Sequence, residues 1–138
     1  MAGIKFMPIN RSKKEKDFEK EKKYKELDTC FIKFILEEKP YLMSDVSQEE
    51  FCQKLGTNRT YLSRMINQNY KQSFSDLLYK YRIGEACELL ADQGNMYFSI
   101  EKIGSMAGFR NNATFHRKFK KQLFLTPKQF RDRVKKSK

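Results

Sequence analysis

Residues 47 to 77 return, position by position, at 99 to 130, so whatever unit the first segment builds, the second builds again. At an offset of 52, Ser47 falls on Ser99, Cys52 on Gly104 and Gly56 on Gly108. One inserted residue makes the offset 53, and Leu62 then pairs with Phe115, Arg64 with Arg117, Ile66 with Phe119 and Ser73 with Thr126. In the first unit, "SQEE" at 47–50 is a capping box: Ser47 accepts from the first turn and Glu50 returns the bond. The helix it opens, "QEEFCQKL", ends at Gly56, and Asn58 caps a second, "RTYLSRMINQ", with Tyr61, Leu62, Met65 and Ile66 on its apolar face. Two short helices joined by a tight glycine turn form a helix-turn-helix candidate. Cys52 and Gly104, both small, stand where the first helix of each pair lets the second approach closely.

The repeat sits on a helical frame. Between the units, Ser73 opens a long helix whose stripe is Phe74, Leu77, Leu78, Tyr81, Ala86, Leu89 and Leu90, stopped by "DQGN" at 92–95. Gly84 lies inside it and costs about 1 kcal/mol relative to Ala, so packing around it or a softened helix is expected. Ahead of the first unit, Leu27, Phe31, Phe34 and Ile35 are spaced as a helix that Pro40 ends. Residues 11 to 26 mix both signs of charge and read as a charged linker or an exposed helix, supported by pairs such as Glu19 with Lys23. The expected layout is therefore a charged segment at 1–26 and one all-α domain at 27–138. Its first helix-turn-helix spans 47–68, its linker helix 73–92, its second helix-turn-helix 99–123 and its C-terminal helix 126–136.

Charge is distributed as unevenly as the repeat is regular. The net +12 is concentrated at the end: residues 99–138 carry 12 Lys and Arg against 2 Asp and Glu, whereas residues 47–98 balance at 6 against 6. A localised basic excess is the footprint of a polyanion partner. The three cysteines, Cys30, Cys52 and Cys87, are odd in number and set among apolar residues, which reads as buried thiols in a reducing compartment. No apolar run approaches a membrane span, "MAGIKFMPINR" lacks a signal-peptide core, and a cytoplasmic location is expected.

The second unit divides its aromatic and basic residues between two faces. On a helix from Asn112 to about Leu123, Phe115, Phe119 and Leu123 follow i, i+4, i+8 and face a core, while Ala113 and Arg117 lie on the opposite side. In the first unit Thr60, Ser63, Arg64 and Asn67 occupy the same outer face. The second helix of such a motif presents its outward residues to base edges in the major groove of duplex DNA. Arg64 and Arg117 suit guanine, Asn112 suits adenine, and Thr60 and Thr114 can offer a methyl to thymine. Arg59, Arg110, Lys118, Lys120 and Lys121 suit phosphates. Structural roles compete with some of these: Asn111 and Asn112 serve equally as N-caps, His116 is as readily a flanking or phosphate contact, and "RDRVKKSK" is also a normal solvated helix end.

With both units placed, residues 44 to 134 resemble the DNA-binding domain of the AraC/XylS family of bacterial transcription regulators. The resemblance rests on "LGTNRTYLSRMIN", "SFSDLLYKYRIGEACELL", "SIEKIGSMAGF" and, most specifically, "ATFHRKFKKQLFLTPKQFR". It implies seven helices, with two helix-turn-helix units on a rigid linker helix reading successive major-groove segments. It also implies base-reading positions at Thr60, Ser63, Arg64, Asn112, Ala113, Thr114, His116 and Arg117, and a structural role for Arg82 and Ala86. The family usually has Gly after each recognition helix, where this chain has Lys71 and Phe124, so the geometry of those turns is an open expectation. The resemblance further implies transcription activation through RNA polymerase and a sensing or dimerisation domain that residues 1–43 are too short and polar to supply. The chain then reads as the output end of a longer regulator; the resemblance takes in relatives whose sensor is a membrane protein or a two-component chain, and the mixed-charge segment at 11–26 suits such a junction.

Other function classes fit less well. A nonspecific single-strand or RNA binder needs exposed aromatics for stacking, whereas these follow core periodicity. An enzyme lacks its parts: there is no phosphate-binding glycine loop, no metal-spaced Cys/His cluster, and one unpartnered His, so no catalytic residue, metal or cofactor is assigned. A pure protein-interaction module leaves the C-terminal charge unexplained.

Overall fold

The computed structural model describes residues 12–136; residues 1–11 of the charged N-terminal segment and residues 137–138 lie outside them. In chain order the α-helices are α1 (Lys13–Glu38), α2 (Gln48–Leu55), α3 (Arg59–Tyr70), α4 (Phe74–Ala91), α5 (Ile100–Met106), α6 (Asn112–Leu123) and α7 (Pro127–Lys136). Short 3-10 turns at Pro40–Leu42 and Gln93–Asn95 follow α1 and α4. Among the described residues the fold is the expected all-α arrangement of seven α-helices.

Side chains set where the helices begin. Ser12, Ser47, Asn58, Ser73, Ser99 and Asn111 each accept a hydrogen bond from the backbone N–H three residues on. Ser47 and Glu50 complete the capping box, and Thr126 with Gln129 makes a second one ahead of Pro127. The ends are less conventional. Lys71 closes α3 at φ 56° and Phe124 closes α6 at φ 61°, both left-handed, and Lys39 does the same for α1 at φ 46°. The turns that usually carry glycine thus keep the glycine conformation without the glycine, at about 1–2 kcal/mol each.

Two cores share α4. The first collects Tyr24, Leu27 and Phe31 of α1, Phe51 of α2, Leu62, Met65 and Ile66 of α3, and Phe74, Leu77 and Leu78 of α4. The second collects Ile83, Ala86 and Leu90 of α4, Ile103 of α5, Phe109, and Phe115 and Phe119 of α6. The face that α4 buries therefore turns along its length, which brings Arg82 and Ile83 inside although the sequence stripe omitted both. Arg82 bridges the halves: Nε donates to the Tyr41 carbonyl at 2.7 Å and Nη2 to the Met43 carbonyl at 3.2 Å. Gly108, at φ 95°, lies against that same Tyr41 carbonyl, where a Cβ would collide with it.

Some sequence expectations change. Of the two readings of the charged segment, linker or exposed helix, its described part is helical and continues without a break into the packed helix as residues 13–38, with Tyr24, only 2% exposed, already packed edge-on against Tyr61. Cys30 is exposed, not buried, since it falls on the solvent side of α1; Cys52 is buried and Cys87 half-buried, and burial pushes both of those thiols up, Cys87 to about 11. No packing compensates Gly84, where an added Cβ would meet nothing within 4 Å, and α4 continues through it. At Gly104 the same Cβ would lie 2.5 Å from the Phe115 ring, so the small residue there is a steric requirement. The two glycines should respond oppositely in urea melts. Gly84→Ala should stabilise by about 1 kcal/mol, and Gly104→Ala should destabilise by about 1–3 kcal/mol.

Candidate nucleic-acid interface

In α3 the core side is fully buried at Leu62, Met65 and Ile66, which turns Thr60, Arg64 and Asn67 to solvent. Ser63 is half-buried, and its hydroxyl accepts from Gln48 Nε2 at 2.7 Å, so α2 orients this position. The same amide nitrogen reaches the Arg59 carbonyl at 3.3 Å, tying α2 to the start of the recognition helix. Arg59 is exposed and loosely paired with Glu49 at 3.8 Å, a contact that an anion can replace at small cost.

The construction repeats in α6. Phe115 and Phe119 have no exposure, and Asn112, Ala113, Arg117, Lys120 and Lys121 are exposed, as is Arg110 just ahead of the helix. Thr114 and His116 are half-buried. The helix start resolves the two asparagines: Asn111 is the cap, its side-chain oxygen accepting from Thr114 N–H at 3.2 Å, and Asn112 is the first helical residue. His116 Nδ1 lies 3.0 Å from the Asn112 carbonyl. A carbonyl can only accept, so Nδ1 carries the proton and, in the neutral ring, Nε2 holds the acceptor lone pair.

Lys118 differs from its neighbours. It is 18% exposed, with Nζ 3.7 Å from Asp76 Oδ1 of α4 and 4.6 Å from the centre of the Tyr79 ring. The residues brought to the outer faces are therefore Thr60, Arg64, Asn112, Ala113, Arg117, Lys120 and Lys121, while Lys118 turns to the linker helix. Sequence reading missed Gln48 and Asp76, whose roles arise from packing between helices. Lys118 itself carried a signal: three residues after Phe115 and one before Phe119, it sits on the flank of the buried face rather than opposite it. Among the described residues no His, Cys, Asp and Glu group is arranged to hold a metal ion, and no helix is long and apolar enough to cross a membrane.

Two capped helix pairs with exposed second helices, joined by one long helix, can be set beside known proteins. A family model described as a helix-turn-helix domain matches residues 51–133, more than half of the chain. The chain belongs to the AraC-type helix-turn-helix family. This AraC-type chain is similar to the C-terminal domain of AraT, a response regulator from Geobacillus stearothermophilus, at 34% identity and TM-score 0.60, over 68% of this chain and 75% of that one. It is similar also to the C-terminal domain of the two-component response regulator yesN from Fusobacterium nucleatum, at 32% identity and TM-score 0.59, over 68% and 88%. A protein of unknown function from Listeria innocua shares the fold at 24% identity and TM-score 0.62, over 74% and 91%. A search of curated proteins gives no match. The family and the two response-regulator neighbours support DNA binding and transcription regulation for the AraC-type chain.

Asn111 and Asn112 are separable by experiment. Asn111→Ala should cost about 1 kcal/mol in a thermal or urea melt, as loss of an N-cap does, whereas Asn112→Ala should leave the melt nearly unchanged.

Proposed function

We propose that the domain binds an asymmetric duplex site sequence-specifically, with α3 and α6 in successive major-groove segments about one turn, roughly 34 Å, apart. The observation that carries this reading is the repeated division of the two helices. Leu62, Met65, Ile66, Phe115 and Phe119 are fully buried on one side, and Thr60, Arg64, Ala113 and Arg117 are exposed on the other. Arg64 and Arg117 carry the main base preference; Thr60, Ser63, Asn112, Ala113, Thr114 and His116 complete the readout. Arg59, Arg110, Lys120 and Lys121 take phosphates, which supply affinity and register but no sequence information. Lys118, also basic and on α6, takes a phosphate only by giving up its contacts to α4.

The output of this binding is regulation of transcription, as activation through RNA polymerase, under a sensing or dimerisation domain in the same regulator. The two neighbours above 30% identity are C-terminal domains of response regulators, which supports that arrangement. The cytoplasm, where DNA and polymerase meet, is the compartment this reading requires.

In vitro selection from random duplexes at near-physiological salt tests the reading. The expected result is a bipartite, non-palindromic consensus with half-sites about one turn apart; binding that enriches no sequence and vanishes as salt rises would overturn it. On the selected site, Arg64→Ala or Arg117→Ala should cost about 1–3 kcal/mol and relax preference at one base pair. Lys121→Ala should weaken all sequences alike and lower the salt slope by about one. Run-off transcription with purified polymerase checks activation, and a template unaffected by the bound domain would remove that half of the proposal.

A further inference from the structure

An open cleft separates the first half of α4 from the C-terminal half of α6, lined by Gln72, Asp76, Tyr79, Lys80, Lys118 and Lys121. Lys118 crosses it, reaching Asp76 and the Tyr79 ring, and is largely buried in doing so. The Tyr79 end of this crossing is held by packing, and the Asp76 end is a carboxylate 58% exposed on a capped helix start. Tyr79 is stacked on Phe109 at 5.9 Å and 15° and lies 5.7 Å from the Arg82 guanidinium, the group that joins the two halves. Asp76 sits in the first turn of α4, held by its N–H bond to Ser73, immediately after the Lys71 turn that ends α3. Lys118 thus connects the recognition helix of the second unit to the end of α4 that carries the first.

From this geometry we infer that Lys118 is a positioning residue: clamped between Asp76 and Tyr79, it fixes the angle between α6 and the linker helix, and hence the half-site spacing the domain accepts. The inference rests on the two-helix reading proposed above and adds to it what sets the spacing. It gives Lys118 a different task from exposed Lys120 and Lys121. It also gives the acidic Asp76 a favourable role in DNA binding, although its charge by itself repels phosphates.

That opposition of sign provides the test. Wild type, Lys118→Met and Asp76→Asn are titrated with duplexes carrying both selected half-sites, the same site with one base pair inserted between them, and a site with one half scrambled. Both variants should bind the intact site about threefold more weakly, in the range of an ion pair with a cation–π contact. They should also lose part of the wild-type penalty for the inserted base pair, and bind the single half-site as wild type does. The exchanged pair, Lys118→Glu with Asp76→Lys, restores the ion pair but not the cation–π contact, and should recover part of the insertion penalty. Lys118→Met weakening every duplex alike, with a smaller salt slope, would make Lys118 a phosphate ligand and overturn the clamp. Asp76→Asn tightening every duplex, or an insertion penalty equal to that of wild type in both variants, would overturn it equally. If Lys118→Met does not fold in a thermal melt, Asp76→Asn carries the test alone. A wild type indifferent to the inserted base pair refutes the two-helix reading itself, a result to which the variants contribute nothing.

Discussion

The buried guanidinium of Arg82 is the contact on which the arrangement of the two units depends. A cation taken out of water is costly unless its hydrogen bonds are made. Here two backbone carbonyls, those of Tyr41 and Met43, accept from it. Burial lowers the Arg82 pKa from its ordinary value, with the nearby Tyr79 acting in the opposite direction; an arginine starts so high that it stays charged throughout the physiological range. Because the acceptors are main-chain atoms of the turn after α1, the Arg82 side chain ties α4 directly to the backbone of that turn. Gly108 then packs against the same Tyr41 carbonyl, so the turn of the second unit is registered on the loop that leads into the first.

Around that junction the two units are built by the same local rules with different side chains. A serine opens the first helix of each pair, an asparagine caps the second, a positive-φ glycine turns between them, and a left-handed residue ends the recognition helix. The first core is mixed aliphatic and aromatic, while the recognition-helix side of the second is phenylalanine, with Phe109, Phe115, Phe119 and Phe130 in successive ring contacts. Phe115 packs on Gly104, and the absence of a side chain there is what admits so large a ring.

Most of this was legible in the sequence because it is written locally. Caps, turn glycines and the two faces of a helix are decided within a few residues, and Ser47, Asn58, Ser73, Ser99, Phe115 and Arg117 stand where their spacing puts them. What the sequence hid is whatever depends on a second helix. Tyr24 extends the packed part of α1 only because Tyr61 lies opposite it. Cys30, amid apolar neighbours in sequence, falls on the side of α1 that no helix covers. Ile83, and Arg82, whose structural role the resemblance implied but whose burial the stripe did not, become core because α4 passes from one unit to the other, which no single periodic stripe encodes. The Lys71 and Phe124 turns take the left-handed conformation without glycine, which residue preference alone does not encode.

The division of the hydrophobic interior into two clusters that meet along one helix also bears on how such a molecule changes over time. Substitutions on the outer face of α3 touch neither Phe115 nor Phe119, and substitutions on α6 leave Leu62 and Ile66 undisturbed. If α3 and α6 read separate half-sites, as proposed above, each half can drift while the other is kept, and new combinations arise without a new fold. On that reading a lineage carrying this scaffold would explore target sequences one half at a time, a far shorter search than altering both together.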